Sequence, residues 1–99
     1  MFFQQNQDVL AGRRVLVIGF ARQGQALARW LPTIGASVVV TDSKTAEQLG
    51  VNIDEYPRVS FVLGSHPEML LDDVDIVCIS GGVPLDLPII QTAMARQMP

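Results

Sequence analysis

The segment Gly19-Phe-Ala-Arg-Gln-Gly24 stands between the apolar run Val15-Leu-Val-Ile18 and a stretch with helical spacing. A G-x-G-x-x-G dinucleotide fingerprint belongs at such a place. Its first glycine permits a tight turn and its last lets strand and helix pack closely, while free N–H groups and the dipole at the helix start attract a phosphate. Ala21 occupies the middle glycine position, and Arg22 and Gln23 complete the turn. An alanine in the middle keeps a pyrophosphate slightly farther from the backbone. The same glycines match the first half of a P-loop, but Gln25 and Ala26 stand where that motif has the Lys and Ser/Thr that hold a γ-phosphate and Mg2+. That argues against ATP hydrolysis on this loop. The competing reading is a tight turn that binds nothing.

Two further clusters belong to the same chemistry. Asp42 lies 18 residues after Gly24 at the end of the run Ser37-Val-Val-Val-Thr41, where such folds place an acid that accepts hydrogen bonds from a ribose; Ser43 and Lys44 extend it. The alternative is that Asp42 or Ser43 caps the next helix. Ser80-Gly-Gly-Val-Pro84, with Gly81 and Gly82 paired, closes a fourth apolar run. Paired glycines let backbone approach a ligand, and Ser80 offers a hydroxyl, although glycine and proline also punctuate plain turns.

The remaining reactive side chains are isolated. His66 is the sole histidine and has no second ligand at metal spacing, so a place in the first turn of a helix is its expected role. Cys78 lies in an apolar strand and reads as an inert buried thiol; Asp72, Asp73 and Asp75 read as a solvated turn. Trp30 and the methionines read as core. No general base, nucleophile or metal site accompanies the nucleotide-type face, so no catalytic and no metal-binding residue is assigned.

The elements that must position these residues alternate. Strands are expected at 15–18, 37–41, 59–63 and 74–79. Leu27, Trp30, Leu31 and Ile34 fall at i, i+3, i+4 and i+7 and line one helical face, which Gly35 would cap and Pro32 would kink. A short helix is expected over 45–49, and a last one over 87–98. Ser65-His-Pro-Glu68 has the S-x-x-E form of a capping box opening another. Strand and helix in alternation give an α/β, Rossmann-like open parallel sheet of about four strands with helices on both faces. Residues 1–12 read as an N-terminal arm and 13–99 as the folded domain; the chain breaks off at Gln97-Met-Pro99, where another strand would begin.

Composition narrows the class. In 99 residues, 48% hydrophobic and 17% charged, there is one core and no disordered tail. No apolar run approaches the roughly 20 residues of a membrane span. The net charge of −3 argues against broad nucleic-acid binding. Five Lys/Arg against three Asp/Glu up to residue 50, and two against seven after it, make the first half the one an anion prefers. A single cysteine and no signal peptide point to the cytoplasm.

Four motifs in order, Val15 to Arg29, Gly35 to Asp42, Leu63-Gly-Ser-His-Pro-Glu68 and Asp75 to Leu85 with Pro88, resemble the N-terminal domain of the Mur ligases, nearest to the members that add D-glutamate. The resemblance covers about residues 10–99. It implies the UDP-sugar-binding domain of a three-domain ligase of peptidoglycan synthesis, holding UDP-N-acetylmuramoyl-L-alanine. A central domain with ATP and Mg2+, and a C-terminal one receiving the amino acid, lie elsewhere. It further implies no cofactor here, no activity alone, and no nucleic-acid or membrane partner. By position, Arg22 and Gln23 would offer backbone N–H groups to the diphosphate, Asp42, Ser43 and Lys44 would hold the uridine, and Gly82 would approach from the neighbouring strand. The chain departs from the family at Ala21, where glycine is usual, at Gln23, where Ser or Thr is usual, and at Gly81, where proline is common. Two other functions compete: an NAD-binding domain of an oxidoreductase, and a ligand-free regulatory or interaction domain.

Overall fold

A computed structural model describes residues 11–99. The expected arm over 1–12 therefore lies, except for Ala11 and Gly12, outside the described residues. Four strands, β1 (Arg14–Ile18), β2 (Ser37–Asp42), β3 (Val59–Leu63) and β4 (Ile76–Ile79), form one parallel sheet in the order β3-β2-β1-β4. The α/β, Rossmann-like class expected from the sequence is the one observed.

Strand β1 explains why the sheet is covered on both sides. Val15, Leu16, Val17 and Ile18 are all fully buried, and because side chains alternate across a strand they divide between two cores. Val15 and Val17 pack with Phe20, Ala28, Leu31 and Tyr56; Leu16 and Ile18 pack with Leu71, Ile89, Ile90 and Ala93. The first core is supplied by helix α1 (Arg22–Trp30) and the second by a 3-10 helix at Glu68–Asp73 and by helix α3 (Pro88–Ala95). Each Leu or Ile so buried contributes about 1.5–3 kcal/mol relative to an exposed one.

Pro32 acts as its chemistry requires. With no N–H to continue the α-helical ladder, α1 ends at Trp30 and Leu31–Ile34 form a 3-10 turn that Gly35 closes in the left-handed region, φ +90°. Trp30 is not core, as its spacing suggested, but 43% exposed. The buried face is centred on Gly24, Ala28 and Leu31, and at about 100° per residue Trp30 lies about 120° round from Gly24. Met69 and Met94 are likewise exposed, at 71% and 63%.

Helix α2 (Ala46–Leu49) starts on a true capping box: Gln48 N donates to Thr45 Oγ1, and Thr45 N donates to Gln48 Oε1. The box expected at Ser65 to Glu68 does not form. Pro67 drives the preceding residue out of helical conformation and itself stands as an extended N-cap without a side-chain bond, so only the 3-10 helix Glu68–Asp73 follows. Glu68 instead accepts from the Thr92 hydroxyl on α3. Strand β4 begins at Ile76 rather than 74, and α3 is shorter at both ends than the expected 87–98.

Candidate functional site

The strand order reverses direction at β1, whose neighbours are β2 on one side and β4 on the other. Open α/β sheets bind ligands in the crevice at the carboxyl ends beside such a switch point. The three sequence clusters emerge there, from the ends of β1, β2 and β4.

The turn after β1 is set by space. Gly19 has φ +94°, and a Cβ on it would lie 2.5 Å from Val83 Cγ2; a Cβ on Gly24 would lie 2.0 Å from Gly19 O and 2.9 Å from Ser80 Oγ. Only glycine fits either position, and the cost of a larger residue is steric at Gly24 and both steric and conformational at Gly19. Ala21 is the extended N-cap of α1, and no side chain caps this helix. The first backbone bond runs from Gln25 N to Ala21 O, so the amides of Arg22, Gln23 and Gly24 precede the helical ladder. Arg22 and Gln23 are exposed.

Asp42 binds this turn directly. Its Oδ2 accepts from Phe20 N at 2.8 Å and its Oδ1 from Lys44 N at 2.8 Å. It therefore caps no helix, which is Thr45's role, but holds the β1 turn and its own loop together while lining a cavity. Phe20 anchors the turn from below through edge-to-face contacts with Tyr56 and Phe61, at 5.1 and 5.2 Å.

From β4, Ser80 faces inward. It is 2% exposed and its hydroxyl donates to Gly19 O at 2.7 Å, so it ties two loops together rather than offering the hydroxyl to a ligand. Gly81 N donates to Gln23 Oε1 at 2.5 Å, across the mouth of the crevice. Gly82 has φ +87° with nothing within 4 Å of where a Cβ would stand.

A cavity of about 230 Å³ opens among Gly19, Asp42, Ser43, His66, Gly82, Val83, Pro84 and Leu87. Of the expected site residues, Gly19, Asp42, Ser43 and Gly82 line it; Ala21, Arg22, Gln23, Lys44 and Gly81 lie exposed around the same loops, and Gly24 and Ser80 support it from inside. A larger cavity, about 580 Å³, lies among Arg14, Ser37, Arg58, Ser60 and Asp73 at the opposite, amino ends of the strands, far from the glycine turns.

His66 is the cavity residue that the sequence reading misplaced in a helix. The buried Thr41 hydroxyl donates to Ser65 O at 2.9 Å and lies 3.2 Å from His66 Nδ1. A hydroxyl has one proton, so with Ser65 O receiving it, Nδ1 is the donor to Thr41. Nothing local in the sequence signals this place: Gly64 and Ser65 return the chain to β2, where Ser65 bridges Asp42.

Two ion pairs are structural. Arg14 N and its guanidinium bond the Asp75 carboxylate at 2.9 and 3.3 Å and hold its pKa below the ordinary aspartate range. Asp72 pairs with Arg96 at 2.8 Å. Burial pushes the Cys78 thiol up and keeps it protonated. Among the described residues no group of three His, Cys, Asp or Glu is arranged to hold a metal ion, and no helix is long and apolar enough to cross a membrane.

Comparison with known proteins matches residues 13–99 to the family described as Mur ligase MurD-like, N-terminal domain. The chain is 42% identical over 84 residues to a UDP-N-acetylmuramoylalanine--D-glutamate ligase of Clostridioides difficile (strain 630), covering 82% of this chain and 18% of that protein. It is 42% identical over 91 residues to the ligase of the same name from Alkaliphilus metalliredigens (strain QYMF), covering 88% and 20%. The chain thus spans about a fifth of the length of these relatives. Among solved structures, shikimate dehydrogenase from Aquifex aeolicus superposes with TM-score 0.63 at 21% identity, over 88% of this chain and 32% of that one; this likeness concerns the fold alone.

Proposed function

The chain belongs to the Mur ligase MurD-like N-terminal domain family, and from that premise we propose that it is the substrate-holding front of a ligase that adds D-glutamate to UDP-N-acetylmuramoyl-L-alanine in peptidoglycan synthesis. The observation that carries this reading is the convergence of three loops, from β1, β2 and β4, on one cavity at the switch point of the sheet.

In this reading the diphosphate sits at the start of α1, where the amides of Arg22 and Gln23 are uncapped and the helix dipole is positive. Asp42, Ser43 and Lys44 hold the uridine, with Gly82 admitting the nucleotide closely from the β4 side. Gly24 and Ser80 act indirectly: they fix the path of the turn whose N–H groups the phosphate meets.

The residues of this chain do not fit an ATP and Mg2+ site. Gln25 and Ala26 follow Gly24, with neither the lysine nor the hydroxyl such a site needs. We assign ATP, Mg2+ and the amide-forming step to the central and C-terminal domains of a longer ligase, and expect this chain to bind substrate without turning it over. The unpaired Cys78 accords with a cytoplasmic setting.

Calorimetry of the chain with UDP, UDP-N-acetylmuramoyl-L-alanine and NAD tests the assignment. The uridine ligands are expected to bind more tightly than NAD. Tighter binding of NAD would overturn the ligase reading in favour of an oxidoreductase domain, for which the same turn and Asp42 would serve.

A further inference from the structure

We propose that Gln23 is a positioning residue whose side chain latches the loop after β4 to the phosphate turn, with Gly81 as its matched partner. The role of the latch toward ligand rests on the nucleotide reading above.

Two bonds join these loops. The inner one, Ser80 Oγ to Gly19 O at 2.7 Å, is buried and fixes the floor of the crevice. The outer one, Gly81 N to Gln23 Oε1 at 2.5 Å, joins residues 58 apart in the chain and fixes the rim. Gly81 is suited to it because a Cβ there would stand 2.9 Å from the same Oε1. Gly81 and Gly82 are consecutive, and a glycine pair loses more conformational freedom on ordering than other residues. Fixing the Gly81 N–H to Gln23 removes part of that freedom before any ligand arrives, which is how preorganisation raises affinity.

The bond also orients the carboxamide. A backbone N–H can only donate, so the atom it meets is the oxygen, and Nε2 is turned to the other side with two N–H donors. Among the described residues Nε2 has no hydrogen-bond partner. Gln23 thus sets a neutral two-proton donor on the first, uncapped turn of α1. The chemistry that would recognise it is a phosphate oxygen of a nucleoside diphosphate.

Two variants separate the latch from mere packing. Gln23→Met keeps the length of the side chain and removes the acceptor; Gln23→Glu keeps an acceptor and adds a negative charge. In the parent chain the Gly81 amide is expected to exchange with solvent slowly by NMR, about 10-fold faster in Gln23→Met, and as slowly as the parent in Gln23→Glu. UDP affinity is expected to fall roughly 2- to 12-fold in Gln23→Met, the size of one neutral hydrogen bond. In Gln23→Glu it is expected to fall at least as far, because charge then opposes phosphate although the latch is closed. Equal Gly81 exchange in parent and Gln23→Met overturns the latch. Altered exchange with unchanged UDP affinity in both variants overturns the positioning role. If the parent binds NAD more tightly than UDP, the nucleotide reading fails, and the exchange measurement still decides whether the latch exists.

Discussion

Replacing Gly24 by alanine sets two effects of opposite sign against each other. Gly24 lies inside α1, and by helix propensity alone Gly→Ala would stabilise by about 1 kcal/mol. The added methyl, however, would lie 2.0 Å from Gly19 O, a backbone atom just past the buried Val15–Ile18 of β1, and 2.9 Å from Ser80 Oγ. No rotamer change relieves that contact; the helix must move away from the strand by more than 1 Å. Overpacking of this kind costs typically 1–3 kcal/mol, and a clash with the Gly19 backbone, which no side-chain rotation relieves, belongs at the upper end, about 3 kcal/mol. The net is a loss of about 2 kcal/mol, and for a domain of about 100 residues the melting temperature should fall by about 8–16 °C. Urea and thermal unfolding followed by circular dichroism measure both. Gly82→Ala is the companion: nothing lies within 4 Å of its Cβ position, so the left-handed φ alone should cost about 1–2 kcal/mol. A Gly24→Ala chain as stable as the parent or more so would refute the steric account of this turn.

Two other substitutions test the groups around the sheet ends. Asp42→Asn leaves one acceptor oxygen where Phe20 N and Lys44 N each now have one; stability should fall by about 1–3 kcal/mol in urea and UDP affinity should fall with it. Unchanged stability would remove Asp42's structural part, and unchanged affinity its ligand part. For Asp75 the backbone N–H and guanidinium of Arg14 lower the folded pKa, so the ionised carboxylate stabilises the fold at neutral pH, and that contribution is lost as pH falls through the folded value. The melting difference between the parent and Asp75→Asn should be full at pH 7 and shrink below about pH 4; a difference independent of pH would count against the pairing.

The strands were readable because β-branched apolar runs ending in Gly, Asp or Ser leave little choice, and Val59–Leu63 was placed to the residue. The three loops of the site were readable for the same reason, since each follows a strand. Side-chain destinations were not. Ser65 and Glu68 match a capping pattern, yet Pro67 between them excludes it, and Glu68 finds Thr92 instead. Trp30 fits an apolar face by spacing, but the centre of that face is set by where Gly24 must touch β1. His66 reaches the cavity only because Ser65 bridges back to Asp42, a tertiary event with no local sign. Gln23 and Gly81 were each noticed as departures from the family, and only the fold reveals that the two touch.

The strand order also bears on when the site forms. β1 pairs with β2 at a sequence separation of 23, Val15 against Val38, and with β4 at 61, Val15 against Ile76. Closing the longer loop costs about 0.9 kcal/mol more chain entropy, and local contacts form ahead of distant ones. A chain leaving an extended state is therefore expected to zip β1, α1 and β2 before it docks β4. The glycine turn and the carboxylate of Asp42 belong to the early half; Ser80, Gly81 and Gly82 arrive with the late one. The crevice is the seam between them, so the uridine nucleotide proposed for it, touching both banks, would act as a clasp on the last step of folding.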